Sequence, residues 1–545
     1  MKRRQFIKLS STASAIGLMP FQVNASLKLM NSFFNCDVSN RKLVLVELAG
    51  GNDGLNTVIP ISAFTDYQTL RPNIHIPSAL YLPLNQIDAS LAGTNQDIAL
   101  HPALTGLKDL YAADQLRIIQ SVGYPSQNKS HFASQDIYAT GNDGSNWSNG
   151  SDSGWIGRYM EQAYADLIPA NYPLGIQIGS QNTNLGFHGI NEHGLALNIN
   201  GQDSENFYSV LSGLGGNPPE NIPNSHYGTE LQNIINVDVL SNQYSEVISN
   251  SFSAGSNSAA TTYPDTDLAD QLKTVARLMR GGIQSKIFMV KLGGFDTHNN
   301  QNQASGDVQG KHYQLMSELS GAIEAFMSDL NSDSLADDVL GITFSEFGRK
   351  AQENGSLGTD HGEVAPVFAF GKPVKSGVSG VNVDLSEAVS SNNYQIQSVQ
   401  HDYRQTFATI MQDFLGSNDA VVDAAFVGNM NSESFTDFKI SELIKSEFLV
   451  PESCYDGSLN APNETLAEWS VYPNPFKTDF FVKSENQHLE TSYELRNYLG
   501  QRVLSGDLEF VNGNAKIQTN NLQNGLYILT LKNNIESSVY KLIKY

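Results

Sequence analysis

Apolar and polar positions follow two regimes along the chain. As far as about residue 450, continuous apolar runs of six or seven residues alternate with amphipathic stretches of helical period. That is the pattern of a buried, mostly parallel sheet covered by helices. Residues 43–48 (LVLVEL), 116–122, 286–292 (KIFMVKL), 339–344 and 364–370 each predict a buried strand, and residues 173–178 a further one. Helices are predicted over 104–112, 133–139, from Gly154 onward, over 267–280 and over 313–330. In the 267–280 helix the apolar residues Leu268, Leu272, Val275, Ala276 and Met279 recur at helical spacing. Residues 179–265 are polar and rich in Asn, Gly and Ser; they predict no clear element and are read as a candidate cap or lid. From Trp469 the pattern changes to short alternating strands, over 493–498, 501–505, 515–518, 525–531 and 537–543, with turns at Leu499-Gly500 and Asn512-Gly513-Asn514. This predicts a small β-sandwich over 469–545, joined by a linker at 451–468 to an α/β domain over 26–450.

The N-terminus changes the picture first. Lys2-Arg3-Arg4-Gln5-Phe6-Ile7-Lys8 is a twin-arginine pattern, followed by a modestly apolar stretch over 9–21 and a small-residue site at Val23-Asn24-Ala25. It resembles a twin-arginine (Tat) signal peptide over residues 1–25, which implies export of the folded protein by the Tat machinery to the periplasm. No other stretch approaches about twenty uninterrupted apolar residues, so no transmembrane segment is expected in the mature protein. The formal net charge of -23 argues against nucleic acid as a partner, because a polyanion would be repelled. Two cysteines, Cys36 and Cys454, are too few for a disulfide-rich scaffold. A bridge between them in an oxidising compartment and two unrelated thiols both remain open.

Candidate chemistry collects where the strands end. Asp53 follows the first strand within Gly50-Gly51-Asn52-Asp53-Gly54. Asp296 and His298 follow the 286–292 strand. Glu346 and Arg349 follow the 339–344 strand, and Asp360-His361 lie on the loop beyond it. In an open α/β sheet such ends share one edge, so these groups are expected to converge. Mixed carboxylate and imidazole ligands suit Zn²⁺ or Mn²⁺, whereas an all-oxygen set suits Mg²⁺ or Ca²⁺. The expected ligands of such a divalent metal are Asp53, Asp296, His298, Glu346 and His361. Capping of helices and of buried backbone is the alternative use of the same groups. Ser130 and His131 precede the 133–139 helix, where backbone N–H groups stabilise anions.

Several motifs together carry a family resemblance: LVELAGGNDGLN (45–56), NKSHF (128–132), GWIGRY (154–159), GGFDTHNNQ (293–301), FSEFGR with TDHG (344–362) and DYRQTFATI (402–410). Over roughly residues 40–430 the chain resembles the domain-of-unknown-function family fifteen-oh-one, a branch of the alkaline phosphatase and sulfatase superfamily. The resemblance implies a three-layer α/β/α sandwich with one or two divalent metals and a Ser, Thr or Cys nucleophile at a helix start. Asp53 then matches the first-strand metal carboxylate, Asp296 and His298 resemble an Asp…His pair at tighter spacing, and His361 matches a later histidine. Glu346 falls where the superfamily has the Asp of an Asp-His pair, and Phe347 where its His should be. Ser130 is the nucleophile candidate, although His131 lies nearer the usual position. With Arg349 or Lys129 holding ester oxygens and His131 or His361 carrying the proton, the candidate catalytic set is Ser130, His131 and Arg349.

The tail is a second resemblance. YPNPF (472–476), LQNGLYILTL (522–531) and the KLIKY ending resemble a type IX secretion C-terminal sorting domain of the Bacteroidetes. That implies the type IX secretion machinery as a partner, and a final location at the cell surface or outside the cell. Two functions follow from the whole: an exported, metal-dependent hydrolase of small phosphate or sulfate esters, or a non-catalytic surface binding protein on the same fold.

Overall fold

The computed structural model describes residues 38–145, 153–168, 172–179, 185–190, 196–199, 244–428, 430 and 433–455, and, in the C-terminal region, 469–472, 476–484, 491–497, 502–508, 510, 513–519, 522–523, 525–532 and 537–544. The expected signal peptide, most of the candidate lid and most of the linker lie outside these residues. The described residues fall into two compact units, divided near residue 456.

The first unit is built on a nine-stranded mixed sheet. Its strands are β1 (Lys42–Ala49), β2 (Leu116–Gly123), β3 (Gly175–Ile178), β4 (Ala196–Ile199), β5 (Ile287–Gly293), β6 (Val339–Phe344), β7 (Ala365–Phe370), β8 (Gly377–Ser379) and β9 (His401–Asp402). They lie in the order β8-β2-β7-β6-β1-β5-β3-β4, with β9 also paired to β2. β1 runs parallel to β5 and β6, and β7 runs antiparallel to both of its neighbours. Among the described residues, the helices that cover the sheet include α1 (Thr105–Ala112), α2 (His131–Thr140), α3 (Trp155–Ala163), α4 (Asp267–Arg280), α5 (Lys311–Leu330), α6 (Tyr403–Thr409) and α7 (Asp419–Ala425).

Alternation along the strands feeds two separate cores. Val44, Val46 and Leu48 of β1 pack with Leu107 of α1, Leu272 and Val275 of α4, and Leu319 and Ile323 of α5. Leu43 and Leu45 point the other way, into a core with Ile137 of α2, Trp155 and Tyr159 of α3, Phe407 of α6 and Val422 of α7. Both faces are covered, which is why β1 reads as an apolar run interrupted only by Glu47 between Leu43 and Ala49. The result is the three-layer α/β/α sandwich expected from the sequence.

The second unit consists of β10 (Trp469–Tyr472), β11 (Asp479–Ser484), β12 (Thr491–Asn497), β13 (Arg502–Leu508), β14 (Asn514–Gln518), β15 (Gly525–Lys532) and β16 (Ser537–Lys544). They form two antiparallel sheets, β10-β11-β14 and β13-β12-β15-β16. One core joins them, with Trp469, Phe480, Val482 and Ile517 from one sheet against Leu495, Leu529, Leu531 and Leu542 from the other. This is the expected β-sandwich, with β10 and β11 added to the five strands the sequence pattern predicted.

Candidate metal centre

Strand register sets the site. Ala49 at the end of β1 lies opposite Gly293 at the end of β5, and Glu47 lies opposite Phe344 at the end of β6. The loops carrying Gly50–Asp53, Asp296–His298 and Ser345–Arg349 therefore leave the sheet side by side. β7 is antiparallel, so its leading loop, with Asp360 and His361, arrives at the same edge. Ser345 stitches two of these loops together: its Oγ donates to the Leu48 carbonyl (2.7 Å) and accepts from the Asn52 N–H (3.0 Å). Gly50 has φ +123°, and a Cβ there would stand 2.3 Å from the Asp296 backbone nitrogen. Only glycine lets these two loops approach so closely.

Asp296 Oδ1 is the meeting point. Arg349 Nη2 lies 2.7 Å from it, His298 Nε2 3.2 Å, His361 Nε2 3.4 Å and His131 Nε2 3.6 Å. His298 Nε2 and His361 Nε2 are themselves 2.9 Å apart. Each imidazole is tied at its other nitrogen: His131 Nδ1 to Glu346 Oε1 (2.9 Å), His298 Nδ1 to Asp360 Oδ1 (3.2 Å) and His361 Nδ1 to the Lys129 carbonyl (2.7 Å). Carboxylates and carbonyls only accept, so each Nδ1 is the donor. Three Nε2 lone pairs and a carboxylate oxygen are left facing one another. Two such lone pairs at 2.9 Å repel unless a proton or a cation lies between them. Tetrahedral coordination with bonds of about 2.0–2.1 Å separates neighbouring ligand atoms by about 3.3 Å. The spacings around Asp296 bracket that figure. Hydrogen-bonded outer nitrogens are also the usual support of metal-ligating histidines. Among the described residues, His131, Asp296 and His361 form a group with ligand atoms all within 4.8 Å of one another, and His298 adjoins it.

The electrostatics follow from these contacts. Glu346 is buried and accepts the Gly50 N–H (2.9 Å). Its hydrogen bond to His131 raises that imidazole's pKa against the opposing effect of burial. Burial lowers the pKa of His361, helped by the nearby Arg349 charge and opposed by the Lys129 carbonyl. For Asp296, burial would raise the carboxyl's pKa, but the Arg349 hydrogen bond and charge outweigh it and the pKa falls. Phe347 is buried and forms an apolar floor, its ring centroid 4.8 Å from His131 and 4.6 Å from His361.

The expected residues divide clearly. Asp296, His298 and His361 come together, and His131 joins their donor set. Glu346 stands behind His131 rather than beside Asp296. Asp53 lies apart from the cluster: its Oδ2 accepts from Arg71 Nη1 at 2.7 Å, with neither side chain exposed. The pair lowers the Asp53 pKa although burial alone would raise it. Arg349 is buried and hydrogen-bonds the carbonyls of Gly50, Gly51, Phe295 and Thr359 as well as Asp296. It orients Asp296 and has little left for ester oxygens. Ser130 is exposed and is the N-cap of α2, and its side chain makes no cap hydrogen bond. Sequence reasoning missed Arg71, which lies in no motif, and Gln301, which closes the GGFDTHNNQ motif.

Residues 248–418 match the family described as Protein of unknown function (DUF1501), and residues 470–545 match the Secretion system C-terminal sorting domain. No curated protein matches the chain. Similar solved structures include dimeric latent PorU from Porphyromonas gingivalis, at 17% identity over 14% of this chain and 9% of PorU's length, TM-score 0.12. A protein in the alkaline phosphatase superfamily from Vibrio parahaemolyticus is 10% identical over 88% of this chain and 82% of its own, TM-score 0.29. A structure concerning metabolism of multiple glycosaminoglycans by Bacteroides thetaiotaomicron is 10% identical over 87% of this chain and 90% of its own, TM-score 0.32. Scores this low carry no functional weight, and the architecture rests on its own strand pairing.

Proposed function

For a chain that carries the DUF1501 family core and ends in a secretion sorting domain, we propose a metal-dependent hydrolase of phosphate or sulfate esters, acting at the cell surface or outside the cell. The sorting domain itself indicates export to one of those places. The twin-arginine route to the periplasm is the first step of the proposed path.

The observation that carries the reading is the inward-facing set of three Nε2 atoms and the Asp296 carboxylate, each imidazole anchored at Nδ1. Asp296, His131, His298 and His361 would hold the ion. Three nitrogens and one oxygen favour Zn²⁺ or Mn²⁺ over Ca²⁺ or Mg²⁺. A bound cation would lower the pKa of a water or hydroxyl and neutralise charge on the ester.

The chain's own residues supply the rest. Glu346 and Asp360 fix the His131 and His298 tautomers, and Arg349 fixes Asp296. The N-terminus of α2 has no side-chain cap, so its first-turn N–H groups suit the ester's non-bridging oxygens. Ser130 Oγ stands one residue before His131 and is the candidate nucleophile, with water as the other. Phe132, 82% exposed at the same helix start, offers an apolar surface to the ester's organic group.

Full-length protein reloaded with Zn²⁺ or Mn²⁺ should hydrolyse an aryl phosphate or aryl sulfate. Asp296→Ala should lower that rate at least a hundredfold while the protein stays folded. Equal turnover in the variant would overturn the reading. The competing reading, a surface protein that binds without turnover, draws on Arg71 and Arg349, whose charges are both committed to internal partners. Metal binding with no hydrolysis of any ester would favour it.

A further inference from the structure

Gln301 is fully buried, and its side chain hydrogen-bonds Thr297, Thr359 and Asp53 rather than the four donor groups, yet it joins the loops that carry them. Its Oε1 accepts from Thr297 Oγ1 (3.1 Å) and from Thr359 Oγ1 (3.0 Å). Thr297 stands between Asp296 and His298, and Thr359 immediately precedes Asp360 and His361. Its Nε2 donates to Asp53 Oδ2 at 2.5 Å. The backbone repeats the link: the Thr359 N–H donates to the Thr297 carbonyl (3.1 Å), and the Gln301 N–H to the Leu357 carbonyl (3.0 Å).

The amide orientation is forced. Asp53 only accepts, so the NH₂ must face it, and the two hydroxyls can then donate to Oε1. A flipped amide would set oxygen against a buried carboxylate. Asp53 is held in turn by Arg71, which also donates to the Lys350 (2.8 Å) and Ala351 (2.8 Å) carbonyls. A chain of hydrogen bonds therefore runs from Arg71 through Asp53 and Gln301 to both threonines.

Resting on the proposed metal reading, we propose that Gln301 is a positioning residue for the metal centre. It sets the distance between the Asp296–His298 loop and the Asp360–His361 loop, and cation affinity depends on it. Asp53, at the head of a strand-end loop, thereby acts on the centre through Gln301 without touching the ion.

The test is Zn²⁺ affinity of the full chain, measured by chelator competition. Gln301→Met keeps the side-chain length and removes all three hydrogen bonds. It should weaken Zn²⁺ binding 10- to 100-fold, the range seen when groups behind the ligands are removed. Thr359→Val should weaken it less, and Thr359→Ser should restore it. Ser320→Ala is the stability control: Ser320, on α5, accepts at Oγ from the Gly106 N–H of α1 (3.0 Å), a contact between helices and not between the site's loops. It should lower the melting temperature and leave affinity unchanged. Unchanged affinity in Gln301→Met would overturn the proposal. If wild type binds no Zn²⁺, the metal reading fails, and the clamp is judged on histidine-ring ¹⁵N resonances. Shifted His298 and His361 signals in Gln301→Met would support it; unmoved signals would overturn it.

Discussion

Asp53 and Asp296 both lie on loops that follow a strand and both face an arginine, yet their surroundings give them different roles. Asp296 is half exposed and gathers three imidazoles around one oxygen. Asp53 is sealed, and Arg71 neutralises it. Removing one partner of a buried pair leaves an uncompensated charge, which costs about 3–5 kcal/mol. Arg71→Met should therefore destabilise the main domain by about that amount in chemical denaturation. A loss of less than about 1 kcal/mol would show that the pair is worth no more than a surface ion pair. Nothing in the sequence distinguishes these two aspartates. Each follows an apolar run and sits near glycines, and the deciding partner of Asp53 lies 18 residues away in the LRPN stretch, which has no pattern of its own. The cluster around Asp296 was legible because strand ends share an edge. The place of His131 in it depends on where α2 begins.

At the scale of elements, α2 starts at His131, two residues before its apolar periodicity does. Its first two residues, His131 and the exposed Phe132, lie off the buried apolar stripe, so the pattern could not show that His131 is helical and aimed at the sheet edge. β11 went unread for a related reason, since Phe480 and Val482 give it only a brief alternation. β1 was read correctly as buried, but its fifth and sixth residues differ in kind. Glu47 lies on the α2–α3 face of the sheet, in a cavity of about 60 Å³ lined also by Gln135, Tyr138, Trp155, Gln177 and Lys291. Burial raises its pKa from 4.5 to about 7, against the attraction of Lys291 at 3.6 Å, and Glu346 adds to the rise. A carboxyl with a raised pKa binds more protons in the folded than in the unfolded chain between those two values. Stability therefore falls as pH rises from 4.5 to about 7. Glu47→Gln removes that dependence. Its stability relative to wild type should improve between pH 5 and pH 8, by at most about 3 kcal/mol. A pH-independent difference in denaturation would contradict this.

On the scale of the whole molecule, the chain joins two independently organised units with separate cores. The second matches a sorting domain, and none of its described residues belongs to the donor set. Cys454 is disulfide-bonded, which suits an oxidising compartment; Cys36, the other cysteine, lies outside the described residues. Deleting residues 469–545 should leave the main domain folded and retained in the periplasm, as read by cell fractionation. Undiminished release from the cell would contradict the assignment of sorting to this unit. Composition made the two units legible, because the helical period ends near residue 450 and a strand period begins near 469.

Whether Asp296, His131, His298 and His361 form one cation site is decided by elemental analysis of the purified full-length protein. Close to one Zn or Mn per chain is expected, lost in the Asp296→Ala, His361→Ala double variant. No bound metal after incubation with either ion, or full occupancy in the double variant, would contradict it.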